Sequence, residues 1–203
     1  MSYNDPRERP RQTLHMTRTA GHLLVATPPL DDPNFDRTVV LMLEHRDDGA
    51  LGVVLSRPTP EVAHGPMARW SSRLSSPAVV FSGGPVGHDT MIALGRLARD
   101  PEREPDDDDP WSVVAGSIVS VDLRTDPLLF DPELAGLRVF RGYAGWGPLQ
   151  LEGELEAGAW VVADADPADP FTADPEGLWR VVLRRQGGRL AWAADAPDDL
   201  SAN

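Results

Sequence analysis

The sequence predicts an α+β fold centred on a strongly bent sheet. Apolar strand segments and helical segments are interspersed, without the regular βαβ repeat of a doubly wound fold. The segment from Pro29 to Pro58 contains a strand, a turn and a returning strand. With 203 residues, one domain can bury roughly 70% of the surface that the unfolded chain exposes, so folding requires neither a disulfide nor a metal.

One hairpin follows directly from the residue pattern. The run from Thr38 to Leu43 is apolar and begins with β-branched residues, which is typical of a strand buried on both faces. Asp48-Gly49 supplies a turn in which the backbone can adopt a positive φ. Leu51 to Leu55 then forms the returning strand.

The remaining elements are assigned from the spacing of their apolar residues. Helices are predicted over residues 64–75, 148–157 and 174–186, and the glycines at 187 and 188 stop the last helix. Further strands are predicted over residues 21–27, 78–82, 91–94, 113–123, 137–140 and 160–163. Because the helices are few, we expect them to flank the sheet.

The chain is predicted to form one domain over residues 20–194, between a disordered N-terminal tail (1–19) and a flexible C-terminus (195–203). The tail is polar and rich in proline and arginine. It has no hydrophobic signal core, and no apolar stretch approaches the length of a membrane span. We therefore expect a soluble, cytoplasmic protein that does not associate with a membrane.

The charge distribution disfavours direct recognition of DNA. The formal net charge is −13, and all 19 basic residues are arginine. DNA-binding proteins neutralise phosphates with clustered Lys and Arg. Here arginines concentrate only in the tail and near residues 180–185, without a long basic stripe. Specific binding to duplex DNA is therefore not expected.

No catalytic, cofactor or metal motif stands out. The absence of cysteine removes thiol catalysis, CxxC redox chemistry and zinc-finger ligation. The five histidines form no H-x-x-x-H pair. Ser82 has no G-x-S-x-G elbow around it. The sequence thus predicts no cofactor and no metal site.

The run from Asp100 to Asp109 holds seven acidic residues. Like charges packed this closely repel one another and extend the backbone. The segment also lacks the apolar side chains that would offset its ordering. We predict a solvated, poorly ordered loop.

Two glycine-rich segments are candidates for binding an anion. Gly83 and Gly84 follow a strand, but lack the GKT/S ending of a P-loop and the GxGxxG spacing of a dinucleotide site. A tight turn forced by packing is the favoured interpretation. Tyr143, Gly145 and Trp146 precede the helix predicted from residue 148, whose first amides could bind an anion. Ordinary packing of aromatic side chains beside glycines is again favoured.

His45 ends the second strand of the hairpin. A hydrogen bond to the turn at Asp47-Asp48 is its favoured role. If His45 lies opposite Ala50, paired positions add to about 95 in a simple antiparallel register. Thr38 then faces Arg57.

Several blocks of this sequence resemble the YqgE/AlgH family of bacterial proteins. They occur in the family's order between about Gly21 and about Trp192. The blocks are GHLLVATP (21–28) followed by DPNFDR (32–37), HRDDGALGVVLSRP (45–58), FSGGPV (81–86) and GYAGWGPLQLE (142–152). The resemblance implies a compact fold with a curved, barrel-like mixed sheet. Members of this family carry the label of transcriptional regulator, but the family has no agreed biochemical activity. Ser56 stands where the family often has Asn.

Arg37 and Arg57 mark a candidate site at the open end of the hairpin. Asp31 and Asp32 enter the same neighbourhood from the preceding loop. A structural ion-pair network is favoured, because guanidinium groups bind carboxylates in a bidentate manner. The alternative is an anion pocket in which one arginine faces a ligand.

Three hypotheses for function remain open. The first is a non-enzymatic regulatory or interaction protein with an unknown protein partner or small ligand, and at most an indirect effect on transcription. The second is an enzyme or sensor for a small anionic metabolite. The third, a direct DNA-binding regulator, rests on the family label alone.

Overall fold

A computed structural model describes residues 19–28, 30, 32–130 and 132–194. Apart from Thr19, the predicted tail and C-terminus lie outside these residues. Within them, ten strands are β1 (Leu23–Ala26), β2 (Val39–Arg46), β3 (Gly49–Val54), β4 (Pro58–Val62), β5 (Val79–Ser82), β6 (Val86–Leu97), β7 (Trp111–Ala115), β8 (Ile118–Val121), β9 (Leu134–Trp146) and β10 (Trp160–Ala163). The helices are α1 (Gln150–Glu156), α2 (Leu178–Gln186) and α3 (Gly188–Ala194), with 3-10 turns over Gly65–Arg73 and Asp169–Phe171.

The strands form one mixed sheet that curls into a half-barrel, which confirms the predicted fold class. Their order is β10-β1-β2-β3-β9-β6-β8-β7, and β5 joins β9 to β4. The β5–β9 pair is parallel, whereas the other strand pairs are antiparallel. No helix in the described part of the chain is long and apolar enough to span a membrane.

Strand β9 lies at the centre of the sheet. It pairs with β3 near its C-terminal end, with β6 along most of its length, and with β5 in parallel. Helix α2 packs into the main core cluster, which includes Leu41 of β2 and Phe140 of β9. Its contacts are Leu178, Trp179, Val182 and Leu183, as its apolar spacing predicts. The indole of Trp179 donates a hydrogen bond of 2.8 Å to the carbonyl of Ala26 in β1.

The predicted hairpin is confirmed as β2 and β3, but its register changes along its length. His45 pairs with Ala50 as predicted. A bulge between Met42 and Glu44 then shifts the pairing by one residue, so that Val40 pairs with Val54. The predicted pairing of Thr38 with Arg57 is therefore wrong, because a bulge adds a residue to one strand only.

Several element predictions need correction. The single strand predicted over 113–123 is the hairpin of β7 and β8, which turns at Gly116 with φ 52°. The helix predicted over 64–75 is a 3-10 helix over Gly65–Arg73. Strand β4 and helix α3 were not predicted, and the strand predicted over 91–94 extends over the whole of β6.

The glycine-rich segment over 142–147 was predicted to turn directly into a helix, and this is wrong. Residues up to Trp146 belong to β9, where Gly145 pairs with Leu51 of β3. The helix begins later, after Leu149 has adopted a left-handed conformation with φ 61°. At Gly142, the lack of a side chain allows another backbone to approach closely, since a Cβ there would lie 2.8 Å from the carbonyl oxygens of Gly84 and Val86.

The acidic segment is exposed at Asp106 to Asp108, as predicted. Asp109 is different, because it is half-buried and accepts hydrogen bonds of 2.6 and 2.7 Å from the guanidinium of Arg103. It also accepts one from the backbone of Asp106. Repulsion within the segment is thus offset by one bidentate ion pair, which the sequence prediction missed.

Arg138 of β9 is a buried cation, only 1% exposed. Its Nη2 donates to the carbonyls of Ser76 at 2.6 Å and Thr172 at 3.0 Å. Its Cζ lies 4.2 Å from the ring centroid of Phe81, a cation–π distance. Nε and Nη1 have no hydrogen-bond partner among the residues described. Burial lowers the pKa of Arg138 to about 10, because desolvation disfavours the charged form.

Candidate functional site

A small cavity lies where three connections of the fold meet. They are the loop before β2, the link from β3 to β4, and the link from β5 to β6. Its volume is about 100 Å³. The lining residues are Asn34, Val54, Arg57, Ser82, Gly84, Pro85 and His88. We call this the Arg57 cavity.

Arg57 is the cationic group of the cavity. Its Nη2 donates a 3.1 Å hydrogen bond to the carbonyl of Pro33. Among the residues described, its guanidinium forms no ion pair with a carboxylate. None of the lining residues that the structure describes is acidic, in a chain with a net charge of −13. These residues thus present hydrogen-bond donors and no carboxylate to the cavity.

Gly83 and Gly84 allow the β5–β6 link to pass close to β9. A Cβ atom on Gly83 would lie 2.3 Å from the carbonyl oxygen of Gly142. A Cβ on Gly84 would lie 2.2 Å from the carbonyl carbon of Tyr143. Both positions therefore require glycine for packing, and Gly84 additionally lines the Arg57 cavity.

Arg37 and Arg57 have separate surroundings. Arg37 adopts a left-handed backbone conformation with φ 50°, and its Cζ lies 5.7 Å from the ring centroid of Trp179. The carboxylate of Asp32 accepts a hydrogen bond from the backbone of Asn34 at 2.8 Å. The predicted four-residue ion-pair network is thus not seen at Arg57, and Asp31 lies outside the described residues.

Trp146 belongs to an aromatic cluster outside the Arg57 cavity. Its ring stacks on Phe35 with centroids 6.2 Å apart and meets Trp160 edge-on at 6.0 Å. The indole nitrogens of both tryptophans donate to Oε2 of Glu154, at 2.8 and 2.7 Å. A carboxylate already accepts these donors, so the predicted packing role fits Trp146 better than anion binding.

Tyr143 and Gly145 lie in β9 behind the cavity rather than in its lining. The Tyr143 ring is half-buried against the main core cluster. A Cβ on Gly87 would lie 2.5 Å from this ring, and a Cβ on Gly145 would lie 3.4 Å from it. The structure therefore brings Arg57 and Gly84 together, but it does not bring Tyr143, Gly145 or Trp146 into the same cavity.

His45 does not bind the Asp47-Asp48 turn, contrary to its predicted role. Its Nδ1 accepts a hydrogen bond from the backbone of Thr19 at 3.3 Å and lies 3.0 Å from the Thr19 hydroxyl. A backbone N–H can only donate, so the proton of the neutral ring is on Nε2. That nitrogen lies 3.1 Å from Oε1 of Glu152, to which it donates. Thr19, placed in the tail by the sequence, is thus part of the folded body.

The chain Thr19–His45–Glu152 has the hydroxyl–imidazole–carboxylate order of a catalytic triad. Thr19 is 0% exposed and His45 is 8% exposed, so no substrate can reach the hydroxyl. The arrangement instead fixes the start of the domain to β2 and α1 by satisfying buried polar groups.

An ion pair supports one wall of the Arg57 cavity. Arg141 of β9 donates to both carboxylate oxygens of Glu61, at 3.1 and 2.5 Å. Its Nη1 also donates to the backbone carbonyl of His88 at 3.3 Å. The hydrogen bond from Arg141 holds the pKa of Glu61 below its ordinary value. Arg141 thus fixes the backbone of a lining residue.

Asn34, Ser82 and His88 line the cavity but were not predicted as site residues. Asn34 is far in sequence from Ser82 and His88, and no motif links the three. Asn34 lies inside the DPNFDR block and Ser82 inside the FSGGPV block. Their position in blocks shared with the family could have marked both as candidate site residues. His88 offered no such signal, because it lies outside the FSGGPV block, in the stretch of β6 where the pairing with β9 changes register.

The fold and the cavity together define an α+β protein with a curled half-barrel sheet and a small, donor-lined cavity at one of its junctions. The chain belongs to the AlgH-like family, whose model matches residues 23–191. This confirms the resemblance found in the sequence.

Relatives and solved structures support the same assignment. A UPF0301 protein of Streptomyces coelicolor is 49% identical over 185 residues, which cover 90% of this chain and 94% of that protein. A UPF0301 protein of Mycobacterium bovis is 38% identical over 203 residues, covering 99% and 98% of the two chains.

Two solved structures share the fold. A crystal structure of a Corynebacterium diphtheriae protein matches with a TM-score of 0.78 and 29% identity, over 96% of this chain and 94% of that one. The solution structure of the AlgH protein from Pseudomonas aeruginosa matches with a TM-score of 0.61 and 26% identity, over 98% and 100%.

Proposed function

We propose that this protein is a cytoplasmic, non-enzymatic regulatory protein that binds a small anionic ligand in the Arg57 cavity. One observation carries the proposal: the Arg57 guanidinium borders a cavity in which none of the described lining residues is an acid, in a strongly acidic chain. An effect on transcription is then indirect and passes through a protein partner that responds to the ligand.

The lining chemistry favours an oxyanion. Arg57 provides a charged donor, and Asn34 and Ser82 provide an amide and a hydroxyl. Guanidinium groups recognise carboxylate and phosphate oxygens in a bidentate manner. A cavity of about 100 Å³ accommodates an anionic group rather than a whole cofactor.

Binding is favoured over catalysis at this cavity. Ser82 and His88 are residue types that occur in nucleophilic catalysis. No hydrogen bond joins their side chains in the described structure. Arg141 donates to the backbone carbonyl of His88 and not to its imidazole. An enzyme acting on a small anionic metabolite is the competing interpretation of the same cavity.

Thermal unfolding tests the proposal, with inorganic phosphate and acetate as probes at constant ionic strength. A ligand at about 100 times its Kd stabilises the folded state by about 2.7 kcal/mol. For a domain of this size, the midpoint rises by roughly 5–10 °C. We expect Arg57→Gln to abolish this shift, because the charged donor is lost.

Arg69→Gln is the matched control, since Arg69 is exposed on the 3-10 helix and does not line the cavity. It should retain the full shift. If neither probe stabilises the wild-type protein beyond chloride, or if Arg57→Gln responds like the wild type, this anion site is wrong. Near-ultraviolet circular dichroism establishes that Arg57→Gln is folded.

Specific binding to duplex DNA is not expected. A protein that neutralises six or more phosphates loses affinity steeply as salt rises. We expect gel-shift assays to show at most weak retardation at low salt, caused by the N-terminal arginines. Sequence-dependent retardation at physiological salt would instead establish the DNA-binding hypothesis.

A further inference from the structure

A second cavity lies beside the acidic segment. Its volume is about 320 Å³, and it opens between the end of β6 and the start of β9. The lining residues are Leu97, Ala98, Arg99, Asp100, Pro101, Glu102, Arg103, Trp111, Pro132 and Glu133. Among the described residues, none lines both this cavity and the Arg57 cavity. We call it the Trp111 cavity.

The inner wall of the Trp111 cavity is apolar. Trp111 begins the edge strand β7 and is 6% exposed, and Leu97 at the end of β6 is also 6% exposed. Pro101 and Pro132 are half-buried on either side. Such a wall suits the aliphatic or planar part of a ligand rather than a hydrated metal ion. Within the described residues, no group of three or more acids or histidines is placed to hold a metal.

The rim of the cavity is predominantly anionic. Asp100, Glu102 and Glu133 are exposed there and come from two separate segments. Arg99 lies 3.9 Å from Glu102, and both side chains are more than four-fifths exposed, so this contact is weak. The charge of Arg103 is already balanced by its bidentate pair with Asp109. A cation entering the cavity therefore meets a net negative charge.

The structure itself shows a guanidinium at this wall. The Cζ atom of Arg103 lies 5.9 Å from the ring centroid of Trp111, within cation–π range. The same guanidinium binds Asp109 at 2.6 and 2.7 Å. An indole face flanked by carboxylates is the environment that attracts organic cations. The Arg103 guanidinium thus lies where the cationic group of a ligand would bind.

We propose that the Trp111 cavity binds an organic cation, a guanidinium or primary ammonium group, between the Trp111 wall and the carboxylates of Asp100 and Glu133. Arg103 competes with this ligand for the indole face. The cation comes either from a free amine or from an arginine side chain of a protein segment. This site is independent of the proposed anion site.

The first experiment measures binding by isothermal titration calorimetry at 50 mM salt. The probes are agmatine, which carries a guanidinium and a primary ammonium group, and the peptide acetyl-Gly-Arg-Gly-amide, whose one cation is the guanidinium. The peptide with citrulline in place of arginine is the neutral control of the same shape. Binding by agmatine and the arginine peptide identifies the guanidinium alone as the recognised group. Binding by only one of them assigns the source as a free amine or a protein segment.

Three variants locate the site. Asp100→Asn combined with Glu133→Gln should weaken binding about fivefold to tenfold, because two exposed rim charges are removed. Asp107→Asn is the matched control: Asp107 is exposed in the same acidic segment but does not line the cavity, so affinity should change less than about twofold. Arg103→Gln should tighten binding about threefold, since the indole face loses its internal cation.

The double variant should bind more weakly and Arg103→Gln more tightly. This pattern distinguishes a defined site from diffuse attraction of cations to an acidic protein. Equal weakening by Asp107→Asn and by the double variant would overturn the proposal. So would equal binding of the citrulline peptide, or the absence of heat with both cationic probes. Arg103→Gln must also unfold at a midpoint within a few degrees of the wild type. If the acidic segment of Arg103→Gln has rearranged, the proposal is judged from the affinities of the double variant and of the Asp107→Asn control.

Discussion

Replacing Gly84 by alanine lowers the free energy of unfolding by about 3 kcal/mol or more. Gly84 has φ 149°, a conformation that residues with a side chain rarely adopt. Its Cβ would lie 2.2 Å from the carbonyl carbon of Tyr143, which is backbone of the central strand β9. Backbone in a paired strand cannot move aside cheaply, so the strain of the conformation and the overlap combine.

Gly153→Ala is the matched control for this substitution. Gly153 lies within α1, and a Cβ there meets no atom within 4 Å. Alanine at an exposed helical position should raise the free energy of unfolding by about 0.5–1 kcal/mol. Urea denaturation followed by circular dichroism measures both variants. A Gly84→Ala protein as stable as the wild type would show that the β5–β6 link does not approach β9 this closely.

Removing the buried guanidinium of Arg138 is the second substitution with a large expected effect. Arg138→Ala should lower the free energy of unfolding by about 3–5 kcal/mol, because it leaves a cavity and removes the donor that Ser76 and Thr172 share. Arg138→Met fills most of the volume, and loss of the buried charge offsets part of the lost hydrogen bonding. Its decrease should be smaller, about 1–3 kcal/mol.

Arg124→Ala controls for the loss of an arginine as such. The Arg124 side chain is 89% exposed, so the free energy of unfolding should change by less than about 0.5 kcal/mol. Urea denaturation at neutral pH compares the three variants. An Arg138→Ala protein no less stable than Arg124→Ala would contradict the buried, carbonyl-bound position of Arg138.

The lowered pKa of Arg138 also fixes how its effect depends on pH. Burial holds the pKa at about 10 in the folded protein, below the ordinary value of arginine, so the unfolded state binds more protons in the window between the two values. The free energy of unfolding of the wild type should therefore rise with pH through this window, relative to Arg138→Met. Below pH 10 the difference between the two proteins should be constant. Measurements at pH 8 and pH 11 test the sign.

The sequence supports local predictions better than those that depend on distant pairing. The β2–β3 hairpin and the apolar face of α2 follow from residue spacing, and both are confirmed. The bulge near Leu43 leaves no mark in the residue pattern, so the register beyond it was wrong. Gly145 was placed in a segment that leads into a helix. Its strand conformation depends on a partner, β3, almost a hundred residues earlier.

The site shows the same division. Arg57 and Gly84 were selected from the sequence, and the structure places both at one cavity. His88 could not be selected, since no motif marks it and it lies in the irregular stretch of β6 between the paired residues Val86 and Met91. The burial of Arg138 was equally hidden. Arginine in a strand normally reaches solvent. Here its guanidinium binds the carbonyls of Ser76 and Thr172, both distant in sequence.

The central position of β9 has a consequence for how this protein is made. Strand β3 ends at Val54, but its partner in β9 begins to leave the ribosome only after some ninety further residues have been synthesised. Strand β1 waits still longer for β10. Until then, the apolar strands β2 and β3 present an unpaired edge, which is the kind of surface that aggregates and that chaperones recognise. The sheet is thus completed only after β9 and β10 have been synthesised, and nascent chains that stop before residue 134 lack the strand that joins its two halves.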